Sequence, residues 1–494
     1  MVEKETRTIN KILKKNLIEN YLHERKIIDN FRINYSSFLN QKNNKFNFDK
    51  DLMKLIFTDV TILISEIFSL KKKINKKTIL PRIKILQKIP KGKSYFFFQI
   101  LRYLKSLFYI DNFYKPKLFF HSQESLTFSP TDLLISYFKK KKKKFYLSNF
   151  NEWFIKKKIR IQDSDRELSK FIENIYKRNL FCFSKREINK LSNIFFINTS
   201  LLVAWYRQHK EHIEKQKTPL FFYSGTMGIP LNRLFAYGVK KNKGKVVVFD
   251  HGMGSGYFKT DLDCSYEFDF ADKFVTFGPY EAKGMVKNSK ISFKFRGNQS
   301  NKTKVDWATT LIKNSGSGKK IINFDLVYVT SKYIEDSSNL EYFYPDNLLI
   351  PFQRKIIRNL QKQKMKFALK PHPDSSNLII NKVSNGLKVN IINNNFNEIS
   401  WSKQIIIFDS PNSTAFKTAL RLDLPIILFS FPRLKLHAEA LNLLKKRCKI
   451  VNINLNKDDQ IDFKELNFFN LIKEAKFLSK NKLFINKYFP FKKI

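Results

Sequence analysis

Phe367-Ala368-Leu369-Lys370-Pro371-His372-Pro373-Asp374 and Asp409-Ser410-Pro411-Asn412-Ser413-Thr414-Ala415-Phe416 are the stretches from which the fold is read. In each, an apolar, strand-like run gives way abruptly to turn formers and polar side chains. The first continues a run from Met365. The second continues Ile405-Ile406-Ile407-Phe408, whose unbroken apolarity fits a strand buried on both faces. A helix then starts at Ala415 and gives out before Leu424-Pro425, where Ile426-Ile427-Leu428-Phe429 begins another strand. Strand, polar turn, helix, strand is the repeat of a parallel sheet. Such a sheet holds its ligands outside the carboxyl ends of its strands.

The same texture occurs upstream. Leu220-Phe221-Phe222-Tyr223 runs into Ser224-Gly225-Thr226-Met227-Gly228, and a helix over Leu231 to Val239 leads to Val246-Val247-Val248-Phe249. That strand ends at Asp250-His251-Gly252-Met253-Gly254-Ser255-Gly256, and Ala271 to Gly278 gives a third strand and a glycine turn. Asn314-Ser315-Gly316-Ser317-Gly318 reads as a linker. The expected architecture is therefore α/β, with two Rossmann-like domains and a helical, basic N-terminal extension. Residues 1–160 are expected to be helical and basic, 161–315 and 316–465 to be the two Rossmann-like domains, and 466–494 a basic tail with helical character. In the first region Leu52, Leu55, Ile56, Leu63, Ile67 and Leu70 keep helical spacing.

A chain of 494 residues has room for two or three domains. Its net charge of +49, from 92 Lys and Arg against 43 Asp and Glu, attracts polyanions. Lys, Asn, Ile and Phe are all abundant and share A/T-rich codons, so composition bias alone supplies a competing account of the charge. Cys182, Cys264 and Cys448 lie far apart without metal-like spacing, which fits a reducing compartment and argues against disulfides or zinc. The start, Met1-Val2-Glu3-Lys4-Glu5-Thr6, is too charged for a signal peptide. The most apolar window, Leu52 to Leu70, contains Lys54, Asp59 and Glu66 and reads as a core helix, not a membrane span. A cytoplasmic protein is expected. Tyr95-Phe96-Phe97-Phe98, Leu118-Phe119-Phe120 and the six lysines from Lys139 to Lys144 leave two readings open. One is a solvated charge run beside core aromatics; the other is a patch for an anionic membrane surface, with peripheral association at the inner face of the cytoplasmic membrane. No recognisable nucleic-acid module occurs, so no nucleic acid partner is expected.

The chemistry-bearing residues cluster at the strand ends. Pro371 and Pro373 hold His372 in a fixed backbone, from which an imidazole can donate to a phosphate oxygen or protonate a leaving group; a histidine in a rigid surface turn is the plainer alternative. Ser410, Asn412, Ser413 and Thr414 precede a helix. One of them caps it, and the other hydroxyls and the free N–H groups suit a phosphate. His251 is a candidate general base, and Asp250 either orients it or is itself the base. The glycines at 252, 254 and 256 let backbone approach a ligand, and Gly225 marks a further loop on the same edge. Asp261, Asp263, Glu267 and Asp269 read as a solvated acidic loop, not a metal site. No P-loop is present.

The order of these features resembles the C-terminal domain of bacterial surface-carbohydrate transferases. It runs from a strand ending in Lys370-Pro371-His372-Pro373, through a strand ending in Asp409-Ser410 with Ser413-Thr414 at a helix start, to Leu424-Pro425-Ile426-Ile427. The families concerned are the CDP-glycerol glycerophosphotransferases, the capsule Kdo transferases and the bacterial polysialyltransferases, all similar to the GT-B class. His251-Gly252 after a strand resembles the His-Gly loop of the glycerophosphotransferases. The resemblance covers about residues 220 to 430. It implies a metal-independent glycosyltransferase without cofactor. Such an enzyme would move a sugar from a nucleotide-sugar donor to a capsule, lipopolysaccharide or lipid-linked acceptor. His372, Ser410, Ser413 and Thr414 would face the donor phosphates, with His251 as base and Gly225 and Gly252 on the acceptor side. The sequence departs from the glycerophosphotransferase pattern at Met253-Gly254-Ser255, where that family has threonine-proline. A glycerophosphate-type transferase on the same fold, a non-catalytic basic nucleic-acid-binding protein and an inactive glycan-assembly scaffold are the alternatives.

Overall fold

The structure is a computed structural model. It describes residues 26–39, 48–71, 114–116, 125–127, 131–141, 145–147, 159–180, 183–252, 256–259, 267–268, 270–296, 303–312, 320–333, 346–363, 365–373, 375, 377–431, 435–455, 461–462 and 466–493. The expected linker at 314–318, the aromatic runs at 95–98 and 118–120, Lys142 to Lys144, Cys182, Cys264, Asp261, Asp263, Asp269 and Met253 to Ser255 lie outside the described residues.

Two wholly parallel sheets organise the chain. The first contains β1 (Tyr114–Pro116), β2 (Ser125–Thr127), β3 (Phe145–Leu147), β4 (Phe221–Ser224), β5 (Lys245–Phe249), β6 (Lys273–Thr276) and β7 (Lys304–Trp307), in the order β1-β3-β2-β4-β5-β6-β7. The second contains β8 (Leu326–Val329), β9 (Phe367–Lys370), β10 (Asn390–Ile391), β11 (Ile405–Phe408), β12 (Ile426–Ser430) and β13 (Lys449–Asn452), in the order β10-β9-β8-β11-β12-β13. That second order is the Rossmann one, with its switch point between β8 and β11. Every residue of β8 and β11 is buried, as unbroken apolar runs require of strands covered on both faces.

Helices begin the described chain, as expected, over 26–39 and as α1 (Lys50–Lys71). The boundary expected at residue 160 falls elsewhere, because β1 to β3 already belong to the first sheet. Around them come α2 (Asp132–Lys141), α3 (Asp163–Lys177) and α4 (Lys185–Glu214). Ser184 and Glu187 start α4 with a reciprocal capping box. Helix α1 is a core helix. Its Asp59 carboxylate binds the wholly buried Arg233 guanidinium of α5 (Pro230–Lys241) at 2.5 Å and accepts from the Tyr206 hydroxyl of α4. Among the described residues no helix is long and apolar enough to cross a membrane.

The remaining helices are α6 (Pro279–Arg296), α7 (Asp346–Gln361), α8 (Asn377–Ser384), α9 (Thr414–Arg421), α10 (Ala438–Lys445), α11 (Phe468–Leu478) and α12 (Leu483–Tyr488). The end of the chain is folded into the body. Phe484, Ile485, Tyr488 and Phe489 are buried, and residues 491–493 pair in parallel with 310–312. Tyr257 joins the two units: its hydroxyl donates to the Pro411 carbonyl at 2.6 Å, and its own carbonyl accepts from His437 N at 2.9 Å.

Candidate functional site

The carboxyl ends of the two sheets meet. β5 delivers Asp250, His251 and Gly252, and Gly252 sits at φ 105°, a region closed to most side chains. Its N–H donates to Asp250 Oδ1 at 2.8 Å, which tightens the turn. A methyl group at 252 would meet Thr414 Cγ2 of α9 at 3.0 Å. The loop after β5 therefore lies flush against the start of a helix from the other sheet. Gly256 makes its close approach to protein backbone, not to open space: a Cβ there would fall 2.0 Å from the Glu281 carbonyl.

His251 keeps 29% of its side-chain surface exposed and lies near Gly225 after β4. In its neutral form one ring nitrogen donates and the other accepts. Burial lowers its pKa, with Asp250 opposing and Lys417 assisting the shift, so the neutral ring dominates at pH 7. Glu267 stands 4.0 Å from Nδ1. Sequence reading placed Glu267 in a solvated loop; it is buried instead, because it clamps the β4 loop, accepting from Thr226 Oγ1 at 2.6 Å and Met227 N at 2.8 Å.

The second sheet contributes the start of α9. Ser413 Oγ caps the helix, accepting from Phe416 N at 3.1 Å, while Ser410 Oγ accepts from Asn412 N at 3.1 Å. Thr414 is exposed. Helix α9 is tied down at its far end, where the buried Arg447 guanidinium donates to the carbonyls of Ala419, Leu420 and Leu424 at 3.0–3.3 Å. At the switch point Asp409 ties β11 to β8. It accepts from Ser331 N at 2.6 Å, Gln353 Nε2 at 2.8 Å and the Tyr328 hydroxyl at 3.2 Å, and burial still pushes its pKa up to about 6.

His372 follows β9 and is half-buried. β9 and β11 flank β8, so the strands that deliver His372 and the Ser413 turn lie about 10 Å apart on one sheet edge. Lys370, in register with Val329 and Phe408, rises on the face where Phe408 packs under Phe416 of α9. It is buried, and burial lowers its pKa against the pull of Glu398.

Two further side chains complete the crevice. Glu281, in the first turn of α6, is buried beside Asp250, and Phe277 N donates to its Oε2 at 3.1 Å. Lys417 of α9 reaches across, its Nζ 4.6 Å from the ring centroids of both Phe277 and Phe489. Among the described residues no three His, Cys, Asp or Glu side chains are grouped to hold a metal.

No family model matches the chain, and no curated protein does. Among solved structures it is similar to a Listeria monocytogenes protein assigned as a UDP-N-acetylglucosamine 2-epimerase. The two are 9% identical over 59% of this chain and 75% of that one, with a TM-score of 0.33. At that level nothing about the chemistry of this chain follows from the likeness.

Proposed function

We propose that the protein is a glycosyltransferase that moves a sugar from a nucleotide-activated donor to a surface polysaccharide or lipid-linked saccharide. What supports this reading above all is the contact between Gly252 and Thr414, which sets a neutral imidazole beside a hydroxyl-bearing helix start. In the proposed roles, the α9 N–H groups, Ser410, Ser413, Thr414 and His372 receive the donor phosphates. His251 takes the proton of the acceptor hydroxyl as that oxygen attacks the anomeric carbon. The bond from that carbon to phosphate breaks, and the nucleotide leaves with the electron pair, its charge stabilised by the helix start. Asp250 shapes the turn that carries His251, and Gly225 and Gly252 form the acceptor-side wall. An anionic membrane surface is the proposed location of the acceptor, sedimentation with anionic but not neutral liposomes being the test.

Thermal melting with CMP, CDP, UDP and GDP tests the donor site. At least one nucleotide is expected to raise the melting temperature; if none does, the reading fails. The charge of +49 favours a second reading, polyanion binding without catalysis. That reading predicts steep loss of binding with salt and no preference for a mononucleotide.

A further inference from the structure

Asp250 Oδ2 and Glu281 Oε1 are both buried, and neither receives a hydrogen bond from a protein donor among the described residues. The other oxygens of both groups are spoken for, Asp250 Oδ1 by Gly252 N at 2.8 Å and Glu281 Oε2 by Phe277 N at 3.1 Å. Each group thus keeps one buried oxygen without a donor, and the Asp250 charge is felt at Glu281. Two bare carboxylates buried side by side repel, whereas one proton between them supplies the missing donor. Glycine packing forces the meeting, because Gly256 and Gly284 allow the loop after His251 to lie directly on α6, where a Cβ at 284 would fall 1.6 Å from the Gly256 carbonyl.

We propose that Glu281 is a positioning residue, sharing one proton with Asp250 and thereby holding the His251–Gly252 turn against the start of α9. The ionisable groups facing the pair are Lys417 from α9, His251 on the same turn and the Tyr488 hydroxyl from α12. With one proton on the two carboxyls, the pair carries a single negative charge, which the buried Lys417 balances. Loss of that proton leaves an uncompensated charge beside the donor-helix start. Burial, with the Asp250 charge, raises the Glu281 pKa to about 8, which keeps the proton in place at neutral pH. The shared proton is independent of the transferase reading; only its consequence for His251 rests on it.

The sign of the linkage gives the test. The folded chain keeps the Glu281 proton up to about pH 8, and the unfolded chain loses it near the ordinary glutamate value of 4.5. Stability therefore falls as pH rises between those values and levels off above the upper one. In Glu281→Gln the amide donates to Asp250 without titrating. Urea unfolding of the full chain from pH 5 to 9 should show the wild-type folding constant falling, relative to Glu281→Gln, about tenfold per pH unit up to pH 8. Parallel curves would overturn the shared proton. Positioning is read at pH 7 with whichever of the four nucleotides raises the wild-type melting temperature. That increment should persist in Glu281→Gln and vanish in a folded Glu281→Leu; retention in both, or loss in both, removes the positioning role. If no nucleotide acts on the wild type, the transferase reading fails while the pH comparison still decides the proton.

Discussion

Replacing Ser413 with aspartate separates the two things a helix start can do. Ser413 Oγ accepts from Phe416 N at 3.1 Å, and an aspartate carboxylate serves that cap equally well. Its charge at the N-terminus of α9 adds about 0.3–1 kcal/mol of stability through the helix dipole. A phosphate bound at the same N–H groups would lie about 4 Å from the new carboxylate. Like charges at that distance repel by ~1 kcal/mol in water and ~4 kcal/mol at an effective dielectric of 20. Ser413 is half-buried, so the cost lies between these limits, roughly 5-fold to 1,000-fold in affinity. Ser413→Asp should therefore melt at or above the wild-type temperature while calorimetry shows nucleotide binding weakened or lost. Ser413→Ala should do the reverse in stability, losing about 1 kcal/mol of cap. Unchanged nucleotide affinity in Ser413→Asp would reduce this helix start to a cap and remove the donor site from α9.

Other expected outcomes are simpler. His372→Ala should weaken nucleotide binding about tenfold, the worth of one charge-assisted hydrogen bond, and by more than it costs in folding stability; calorimetry and urea unfolding together check both halves. Asp59→Ala strands the Arg233 guanidinium, which is 0% exposed, and should cost about 3–5 kcal/mol in urea unfolding, whereas Asp59→Leu with Arg233→Met and Tyr206→Phe, which removes all three polar partners together, should cost much less. Arg447→Leu leaves the last carbonyls of α9 without their donor and should cost about 3 kcal/mol by the same measurement.

The central strands of both parallel sheets were legible from apolar runs that stop at polar turns, because a strand covered on two faces must be apolar throughout. Ile405 to Phe408 and Leu326 to Val329 show this directly. The strands β1 to β3 were not legible. Each is three residues long, too short for an apolar run or an alternation to show, and no glycine marks an edge. His251, Gly252, Ser413 and Thr414 were legible as strand-end and cap residues, and the structure brings the two loops into contact. Glu281 was missed because an acidic residue in a first helical turn is what the helix dipole already favours. Lys417 was missed because one lysine has no contrast among 92 Lys and Arg. Its signal was positional: it lies beside Phe416 and one turn before Leu420, on the buried side of α9.

The charge of the chain and the charge of the crevice obey different physics, and this separates the proposed functions. A net +49 spread over the surface acts through a field screened within about 8 Å at physiological ionic strength. Whatever it binds should let go steeply as salt rises. Inside the crevice Lys417 stands against the Asp250–Glu281 pair, while Glu267, buried beside the neutral His251, accepts from Thr226 and Met227. An anion held there would owe its affinity to fixed N–H groups and hydroxyls at the start of α9, at contact distance, where screening has little purchase. Nucleotide binding that survives added salt while polyanion binding collapses would locate the specific site in the crevice and leave the surface charge a separate role. Collapse of both with the same slope would mean that the field alone does the binding and that the aligned loops recognise nothing.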